Sequence, residues 1–377
     1  MDIIGDLKKW RQDLHQIPEI GLQEYKTTDY IKEQLTIMGY KTIDVLETGT
    51  LVYIDNECKD TIAFRSDIDA LQIQEKTECS FASKHQGYMH ACGHDGHMSA
   101  LLGFAKVLMN SKETFSYNFL LIFQPAEESP GGARLLVEEG IMDKYHVKAV
   151  FGMHLMPSIE EGVIASKAGP LMAQNGELDV KIKGRSAHAG LYHLGIDSVV
   201  IAAQIISEYQ SIISRIISPT QSCVLHVGEI HGGSARNIVA DYAEFHGTVR
   251  TYDEDVFMRI NKAIGGIHES MENIYGCDIT WSCPPMYPPV INDKKLYRKF
   301  IDCINSTYLE LEEPLMLAED FSYYQKEVPG IFFYLGTKTN QYHSGLHTET
   351  FNFNEEVLEK AVNTYYNIAK NITLGGE

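Results

Sequence analysis

Short apolar runs alternate with helical patterns in the first half of the chain, and this alternation constrains the fold more than any other feature. Residues 61–65 (TIAFR), 118–123 (NFLLIF) and 147–152 (VKAVFG) have the length and composition of buried strands, and helical patterns at 97–109 and 132–139 separate them. Strands that are apolar throughout and joined by helices predict a mainly parallel sheet covered on both faces. Because such sheets form their sites beyond the carboxyl ends of the strands, we expect a site at that edge.

The pattern changes from about residue 176, where the predicted strands alternate apolar and polar residues as half-exposed strands do. The predicted order of elements is strand, helix, strand, strand, helix, strand, which is typical of a split βαβ, ferredoxin-like α+β unit. The strands are 176–184, 222–230, 241–250 and 277–283, and the helices are 195–213 and 254–274.

The α/β pattern resumes after the Pro-rich stretch 283–289. It continues with helix 294–307, strand 331–335 and a closing helix at 355–370. We therefore predict an α/β protein whose discontinuous, mainly parallel-sheet catalytic domain is split by an inserted ferredoxin-like (βαββαβ) domain. The predicted boundaries are 1–173 and 286–377 for the catalytic domain and 174–285 for the insertion.

Composition excludes several classes of function. The chain has 377 residues, of which 44% are hydrophobic, and it carries a formal net charge of −19. A chain of this length and composition can bury a full hydrophobic core. Its negative charge repels phosphate backbones and anionic lipid surfaces, so we expect no nucleic acid partner and no membrane partner. The opening residues lack the apolar stretch of a secretory signal, and the seven cysteines have no paired spacing. These features favour a cytoplasmic location with reduced thiols.

The densest chemical signal is the segment 89–97 (MHACGHDGH), which places a thiol and three imidazoles between residues 90 and 97. In an extended segment, residues two positions apart share a face, so Cys92 and His94 can point at one ion. Thiolate and imidazole groups are ligands of divalent transition metals. The spacing is equally compatible with unrelated polar residues in a loop, but the local density of histidine favours a metal site.

Two adjacent carboxylates follow the second predicted strand, in the segment 124–128 (QPAEE). Neighbouring residues of an extended loop point in opposite directions, so Glu128 can bind a metal ion while Glu127 faces the substrate as a base. Metal-assisted hydrolysis uses one carboxylate as a metal ligand and another as a general base. The alternative is that both acids merely favour the positive N-terminus of the following helix.

Two histidines also follow predicted strands. His154 lies two positions after the run at 147–152, and His347 lies beyond the strand at 331–335. A single histidine is more often a hydrogen-bonded structural residue than a ligand. Here, however, separate segments bring ligand-type residues to the same predicted sheet edge, which favours a metal centre. The chain has no HExxH, GxSxG or Walker motif, and the HxE at His347 lacks the downstream PCxxC of a deaminase.

Further motifs extend over nearly the whole chain. They are LHQIPE (14–19), RSDIDAL (65–71), MHACGHDGH (89–97), FQPAEE (123–128), GMH (152–154), GGSARN (232–237), GTVRT (247–251), AEDFSYY (318–324) and SGLH (344–347). Together they resemble the aminoacylase and carboxypeptidase-like amidohydrolases of the di-metal zinc-peptidase superfamily. The subgroup is that of hippurate hydrolases, auxin-conjugate hydrolases and N-acetyldiaminopimelate deacetylases.

The resemblance implies a metal centre with two divalent ions and Glu127 as the general base. Its ligands would be Cys92, His94, Glu128, His154 and His347. This mixed ligand set tolerates zinc, manganese, cobalt and nickel. The resemblance also implies that the inserted domain is a lid and dimerisation domain, so that the protein is a homodimer or a dimer of dimers.

Three residues of the inserted domain match family positions around the substrate. His188 matches a histidine that reaches across the dimer to the oxyanion, and Asn237 and Arg250 match positions around the substrate carboxylate. Without the resemblance, they would be interpreted as a turn histidine, an asparagine bonded to loop backbone and a surface arginine. The sequence departs from many relatives at Gln72, where proline is common, and at 186–193 (SAHAGLYH), so the pocket around His188 can differ.

The function that these features imply is metal-dependent hydrolysis of the amide bond of a small N-acyl amino acid, with N-acetyldiaminopimelate as one candidate substrate. Glu127 would take a proton from the attacking water and return it to the leaving amine. A dipeptidase or a carboxy- or aminopeptidase on the same scaffold is the nearest alternative. A non-catalytic metal-dependent binding protein is another, and a third is a nucleophilic or redox-active Cys92 supported by His94.

Overall fold

The computed structural model describes residues 3–375, which form two compact units. The larger unit contains the chain up to Leu171, Ile291–Pro314 and the chain from Asp320 onward. The smaller unit contains Met172–Val290 and the short segment Leu315–Glu319. No sequence signal had indicated that this second segment belongs to the smaller unit.

The strands are, in chain order, β1 (Thr42–Val45), β2 (Gly49–Ile54), β3 (Thr61–Asp67), β4 (Asn118–Gln124), β5 (Val147–Glu160), β6 (Ile164–Ser166), β7 (Gly169–Met172), β8 (Gln174–Lys183), β9 (Cys223–Gly232), β10 (Tyr242–Thr251), β11 (Asp278–Ser282), β12 (Val290–Asn292), β13 (Tyr308–Glu310) and β14 (Gly330–Lys338). The α-helices are α1 (Ile4–His15), α2 (Tyr25–Ile37), α3 (His94–Met109), α4 (Gly132–Glu138), α5 (Ile141–Lys144), α6 (Ser198–Ser211), α7 (Glu254–Tyr275), α8 (Lys294–Cys303), α9 (Ser322–Glu327) and α10 (Leu358–Asn371).

The larger unit is built on an eight-stranded sheet with the order β1-β2-β4-β3-β5-β14-β6-β13. Its four central strands, β4, β3, β5 and β14, run parallel, and the strands β1, β2 and β6 form antiparallel pairs outside them. All residues of β3 and β4 are buried, as is typical of strands covered on both faces. The predicted mixed α/β class with a large, mainly parallel sheet is therefore confirmed.

Helix α3 is part of the core of this unit. It contacts α1, α10 and β3, and its residues from His94 to Ala105 are buried all round the helix. A helix that is buried on every side has to lie at the centre of a domain. The polar side chains at its first turn are therefore held rigidly at the sheet edge.

The smaller unit is a four-stranded antiparallel sheet with the order β11-β8-β10-β9. Helices α6 and α7 pack on it, and the chain order is strand, helix, strand, strand, helix, strand. Along β8, the side chains of Leu178, Val180 and Ile182 are fully buried, while the residues between them are exposed. This alternation gives the sheet one face toward its helices and one polar face.

Element boundaries differ from the sequence predictions at two informative places. Strand β5 runs to Glu160 and carries His154 inside it, well past the predicted end at residue 152. Helix α6 begins at Ser198 instead of residue 195, because the Asp197 carboxylate caps it by accepting hydrogen bonds from Val199 and Val200. Within residues 3–375, no helix has both the length and the apolar character needed to cross a lipid bilayer.

Candidate active site

The carboxyl ends of the central strands bring polar residues together at one edge of the larger unit. Strand β3 ends at Asp67, β4 leads into Glu127, and β5 passes through His154. His94 begins helix α3 after Gly93, whose φ of 88° lies in the left-handed region that favours glycine. The predicted site residues of the larger unit therefore belong to neighbouring elements.

Cys92 lies at the centre of this group. Its Sγ atom is 3.3 Å from His154 Nε2 and 3.3 Å from His347 Nε2. Burial and the nearby carboxylates of Glu128 and Glu127 raise the pKa of the thiol well above its usual range. The thiol is therefore neutral unless a cation stabilises the thiolate, which argues against Cys92 as a free nucleophile and fits a metal ligand.

One ring nitrogen of His94 has no hydrogen-bond partner among the described residues. Nδ1 donates to the backbone oxygen of Asp69 at 2.8 Å, whereas Nε2 is buried without a hydrogen-bond partner among the described residues. Burial opposes the charged form, but the carboxylates of Asp67 and Asp69 outweigh it and raise the pKa of His94 to about 10. The site therefore stabilises positive charge at this nitrogen, as a position for a metal cation would.

His154 has the opposite electrostatic character. Burial and the neighbouring His97 hold the pKa of His154 well below its usual range, so the ring is neutral. Nδ1 donates to the backbone oxygen of Leu155 at 2.6 Å. A hydrogen bond of this kind fixes the tautomer and leaves the lone pair of Nε2 available for a metal ion.

Glu128 and His347 form a second contact of the cluster. Glu128 Oε1 lies 3.1 Å from His347 Nε2, and the backbone N–H of Glu128 donates to Asp69 at 2.9 Å. Burial opposes ionisation of Glu128, but the contact with His347 and the charge of His94 lower its pKa. Glu128 is therefore a carboxylate at neutral pH, which is the form that binds metal.

The predicted metal ligands of the larger unit and Glu127 meet in three overlapping groups. In each group, one ligand atom per residue lies within 4.8 Å of the others. The groups are Cys92, His94 and His154; Cys92, Glu128 and His347; and His94, Glu127 and Glu128. The structure thus brings together all six residues, and a donor set of one thiol, three imidazoles and carboxylates fits divalent transition metals.

A buried polar network supports this cluster, and the sequence analysis assigned no role to it. Asp67 accepts from Arg65 Nη1 at 2.8 Å and lies 2.7 Å from His97 Nδ1. His97 Nε2 in turn accepts from the backbone N–H of Leu155 at 2.9 Å, next to His154. One sequence feature could have indicated a role for His97. It lies three positions after His94 and therefore on the same face of α3.

A second support holds the loop that carries Glu127. The buried Glu24 carboxylate accepts from the backbone N–H of Ala126 at 2.8 Å and from the Thr48 hydroxyl at 2.6 Å. Ala126 has a φ of 57°, an uncommon conformation for a residue with a side chain. Glu24 therefore holds a strained turn directly before the predicted base.

The remaining predicted site residues, His188, Asn237 and Arg250, lie in the smaller unit. His188 is exposed, and its Nδ1 accepts from the backbone N–H of Gly190 at 3.1 Å, which leaves the proton on Nε2. Asn237 is also exposed, and its backbone oxygen accepts from Ala189 at 3.0 Å. The Arg250 guanidinium donates to the backbone oxygen of Met316. His188 and Asn237 thus lie on adjacent backbone segments.

Curated proteins that are similar to this chain over most of its length include bacterial deacetylases. An N-acetyl-L-cysteine deacetylase of Bacillus subtilis strain 168 is 38% identical over 368 residues, which cover 96% of this chain and 87% of the relative. An N-acetyldiaminopimelate deacetylase of the same strain is 36% identical over 378 residues, which cover 98% of this chain and 100% of the relative.

Solved structures and sequence profiles agree with this relationship. The crystal structure of the Bacillus subtilis YXEP protein, described as a dinuclear metal-binding peptidase of the M20 family, superposes with a TM-score of 0.85. It is 33% identical to this chain, and the match covers 97% of each chain. The profile of the peptidase family M20/M25/M40 matches residues 63–371. The resemblance inferred from the motifs is therefore confirmed, and the chain belongs to the peptidase family M20/M25/M40.

Proposed function

We propose that this protein is a metal-dependent amidohydrolase that removes the acyl group from small N-acyl amino acids. The observation that carries the proposal is the convergence of Cys92, the histidines and the two adjacent glutamates in groups whose ligand atoms lie within 4.8 Å. The deacetylase relatives, at 36–38% identity over most of the chain, support the same reaction.

The proposed cofactor is a pair of divalent ions. Cys92 occurs in two of the three groups, which are completed by His94 and His154 and by Glu128 and His347, and these residues would hold the ions. Bound ions would polarise the amide carbonyl and make water a better nucleophile at neutral pH. Zinc, manganese, cobalt and nickel all suit this mixture of sulfur, nitrogen and oxygen ligands.

Glu127 is the proposed general base. It takes the proton of the attacking water and then donates it to the nitrogen of the leaving amino acid. Its neighbour is unsuited to this role, because Glu128 faces His347 at 3.1 Å. Glu127 is 6% exposed, so its proton transfers take place largely away from bulk solvent.

The smaller unit is proposed to supply groups that bind the substrate. His188 carries a proton on Nε2, because Nδ1 accepts from Gly190, and this N–H can donate to the developing oxyanion. Arg250 and Asn237 would bind the carboxylate of the amino acid. The Arg250 guanidinium also donates to the backbone oxygen of Met316.

We further infer that the smaller unit is a ferredoxin-like lid and dimerisation domain, as the motifs imply. Its order of elements and its antiparallel sheet with the order β11-β8-β10-β9 support this classification. The proposed assembly is a homodimer or a dimer of dimers in the cytoplasm. Light scattering on the purified protein tests the assembly, and a monomer at micromolar concentration would contradict it.

Rates on a panel of substrates test the proposed reaction. The panel contains N-acetyl- and benzoyl-amino acids, N-acetyldiaminopimelate, N-acetylcysteine and dipeptides, each assayed with metal-loaded protein and after chelation. We expect the N-acyl amino acids to be cleaved faster than the dipeptides and chelation to abolish the activity. Faster cleavage of dipeptides would identify a peptidase, and full activity in chelator would overturn the metal-dependent mechanism.

A further inference from the structure

A second cluster of metal-ligand side chains lies outside the candidate active site. One ligand atom each of His15, Glu75 and Cys79 lies within 4.8 Å of the others. His15 Nε2 is 3.2 Å from Glu75 Oε1, and Cys79 Sγ is 3.8 Å from the same oxygen. These residues come from helix α1 and from a segment that precedes the Cys92 motif.

The local chain conformation turns two of these side chains toward the interior. Burial alternates along residues 71–80, so that Glu75, Thr77 and Cys79 are half-buried while the residues between them are exposed. The Glu75 carboxylate is further fixed because its Oε2 accepts from the backbone N–H of Ser83 at 2.6 Å. Its Oε1 atom therefore faces His15 with little freedom to turn away.

His15 has the environment of an oriented metal ligand. Its ring is buried, and Nδ1 lies 2.7 Å from the Asp95 carboxylate, which also accepts from Arg11 Nε at 2.9 Å. A carboxylate on the far nitrogen of a histidine orients the ring and raises the basicity of the other nitrogen, as it does in many zinc sites. Nε2 is the nitrogen that faces Glu75 and Cys79.

A buried histidine, His90, lies next to this cluster. His90 is 1% exposed, and both of its ring nitrogens lack a hydrogen-bond partner among the described residues. Its ring centroid is 6.4 Å from that of His15. A buried imidazole without partners is costly unless something in its surroundings completes its bonds.

We propose that His15, Glu75 and Cys79 form an additional binding site for a zinc-like divalent cation. One nitrogen, one carboxylate oxygen and one thiolate sulfur match the ligand types of tetrahedral zinc, and water would occupy the fourth position. Binding releases the thiol proton of Cys79 and the proton on His15 Nε2 to solvent. The Cys79 thiolate and the Glu75 carboxylate then balance the charge of the ion. Because Cys79 is only half-buried, the ion can reach the site from solvent.

Metal content of cysteine variants tests the site. Protein saturated with manganese is dialysed to equilibrium against micromolar zinc, and total zinc and manganese per chain are measured by elemental analysis. Cys79→Ser and Glu75→Gln remove one ligand each. Cys58→Ser is the matched control, because Cys58 is also half-buried and its thiol donates to the backbone oxygens of Asn56 and Phe115.

We expect wild type and Cys58→Ser to hold one more ion per chain than Cys79→Ser and Glu75→Gln. Equal metal content in wild type and Cys79→Ser, or an equal loss in Cys58→Ser, would overturn the proposal. Because the result is a difference between variants, it does not depend on how many ions the active site holds. Thermal unfolding of metal-free Cys79→Ser in chelator, at the same temperature as metal-free Cys58→Ser, verifies that the two variants are folded alike without the contribution of bound ions.

Discussion

His347 Nε2 lies 3.3 Å from Cys92 Sγ, although 255 residues separate them in the chain. The backbone makes this contact possible, because the N–H of His347 donates to the backbone oxygen of Ala91 at 2.9 Å. His347 also has a φ of 58°, an uncommon conformation for a residue with a side chain that carries some conformational cost. The last ligand of the proposed metal centre is thus positioned by the loop after β14.

Removal of metal should destabilise the larger unit. The ligands come from distant segments, so ions that bind only the folded chain stabilise it, by about 2.7 kcal/mol at a free metal concentration of 100 times Kd. We expect dialysis against a chelator to lower the temperature of unfolding, and metal added back to restore it. An unchanged unfolding temperature in metal-free protein would contradict a metal centre built from these residues.

Asp67→Asn should be strongly destabilising. An asparagine has one acceptor oxygen and cannot accept from both Arg65 and His97, which now contact separate oxygens of the buried Asp67 carboxylate. Breaking a buried ion pair costs on the order of 3 kcal/mol of the free energy of unfolding. Urea denaturation measures the change. The control is Glu356→Gln, whose solvent-exposed pair with Lys8 should contribute little to stability.

A comparable loss in both variants would show that the Asp67 network is not specifically required. A loss confined to Asp67→Asn, accompanied by weaker metal binding, would support its role in positioning His97 and His154.

Local motifs predict many residues of this site. The residues that support the site through contacts with distant parts of the chain cannot be predicted from local motifs. Cys92 and His94 are two positions apart, and Glu127 and Glu128 are adjacent, so chain geometry favours a metal site there, and the resemblance of the motifs to a known family assigns the individual roles. The contact between Glu24 and Ala126 joins residues 102 positions apart, and nothing in either segment indicates the other. The same holds for Arg65 and Asp320, which are 255 positions apart. Their pairing depends on the folded sheet.

Glu24→Gln should change the pH dependence of stability. Burial and the charge of Asp69 raise the pKa of Glu24 from 4.5 to about 7. Between these values the folded state keeps a proton that the unfolded state has lost, so wild type loses stability as the pH rises through this window. The loss amounts to about 3 kcal/mol, and it should be absent from the variant.

The measurement compares urea midpoints of wild type and Glu24→Gln at about pH 4.5 and about pH 8. We expect the midpoint of wild type to fall relative to that of the variant as the pH rises. A difference between the two proteins that does not vary with pH would contradict the raised pKa of Glu24.

His188→Ala should lower turnover without affecting folding. If His188 donates to the oxyanion, its loss should reduce kcat by about 10²–10³-fold. Both His188 and His193 are exposed in the same segment, so His193→Ala is a matched control for changes in the loop. Equal effects of the two substitutions would show that His188 has no specific role in catalysis, and unchanged unfolding temperatures would confirm that both variants are folded.

Turnover and metal content of Glu127→Gln test the central claim most directly. The substitution removes the proposed base and keeps the ligands, so we predict wild-type metal content with kcat on an N-acetyl amino acid lowered by about 10²–10⁴-fold. Both quantities are measured on the same samples as wild type. Turnover close to that of wild type, with the metal retained, would contradict the assignment of Glu127 as the base of a metal-dependent amidohydrolase.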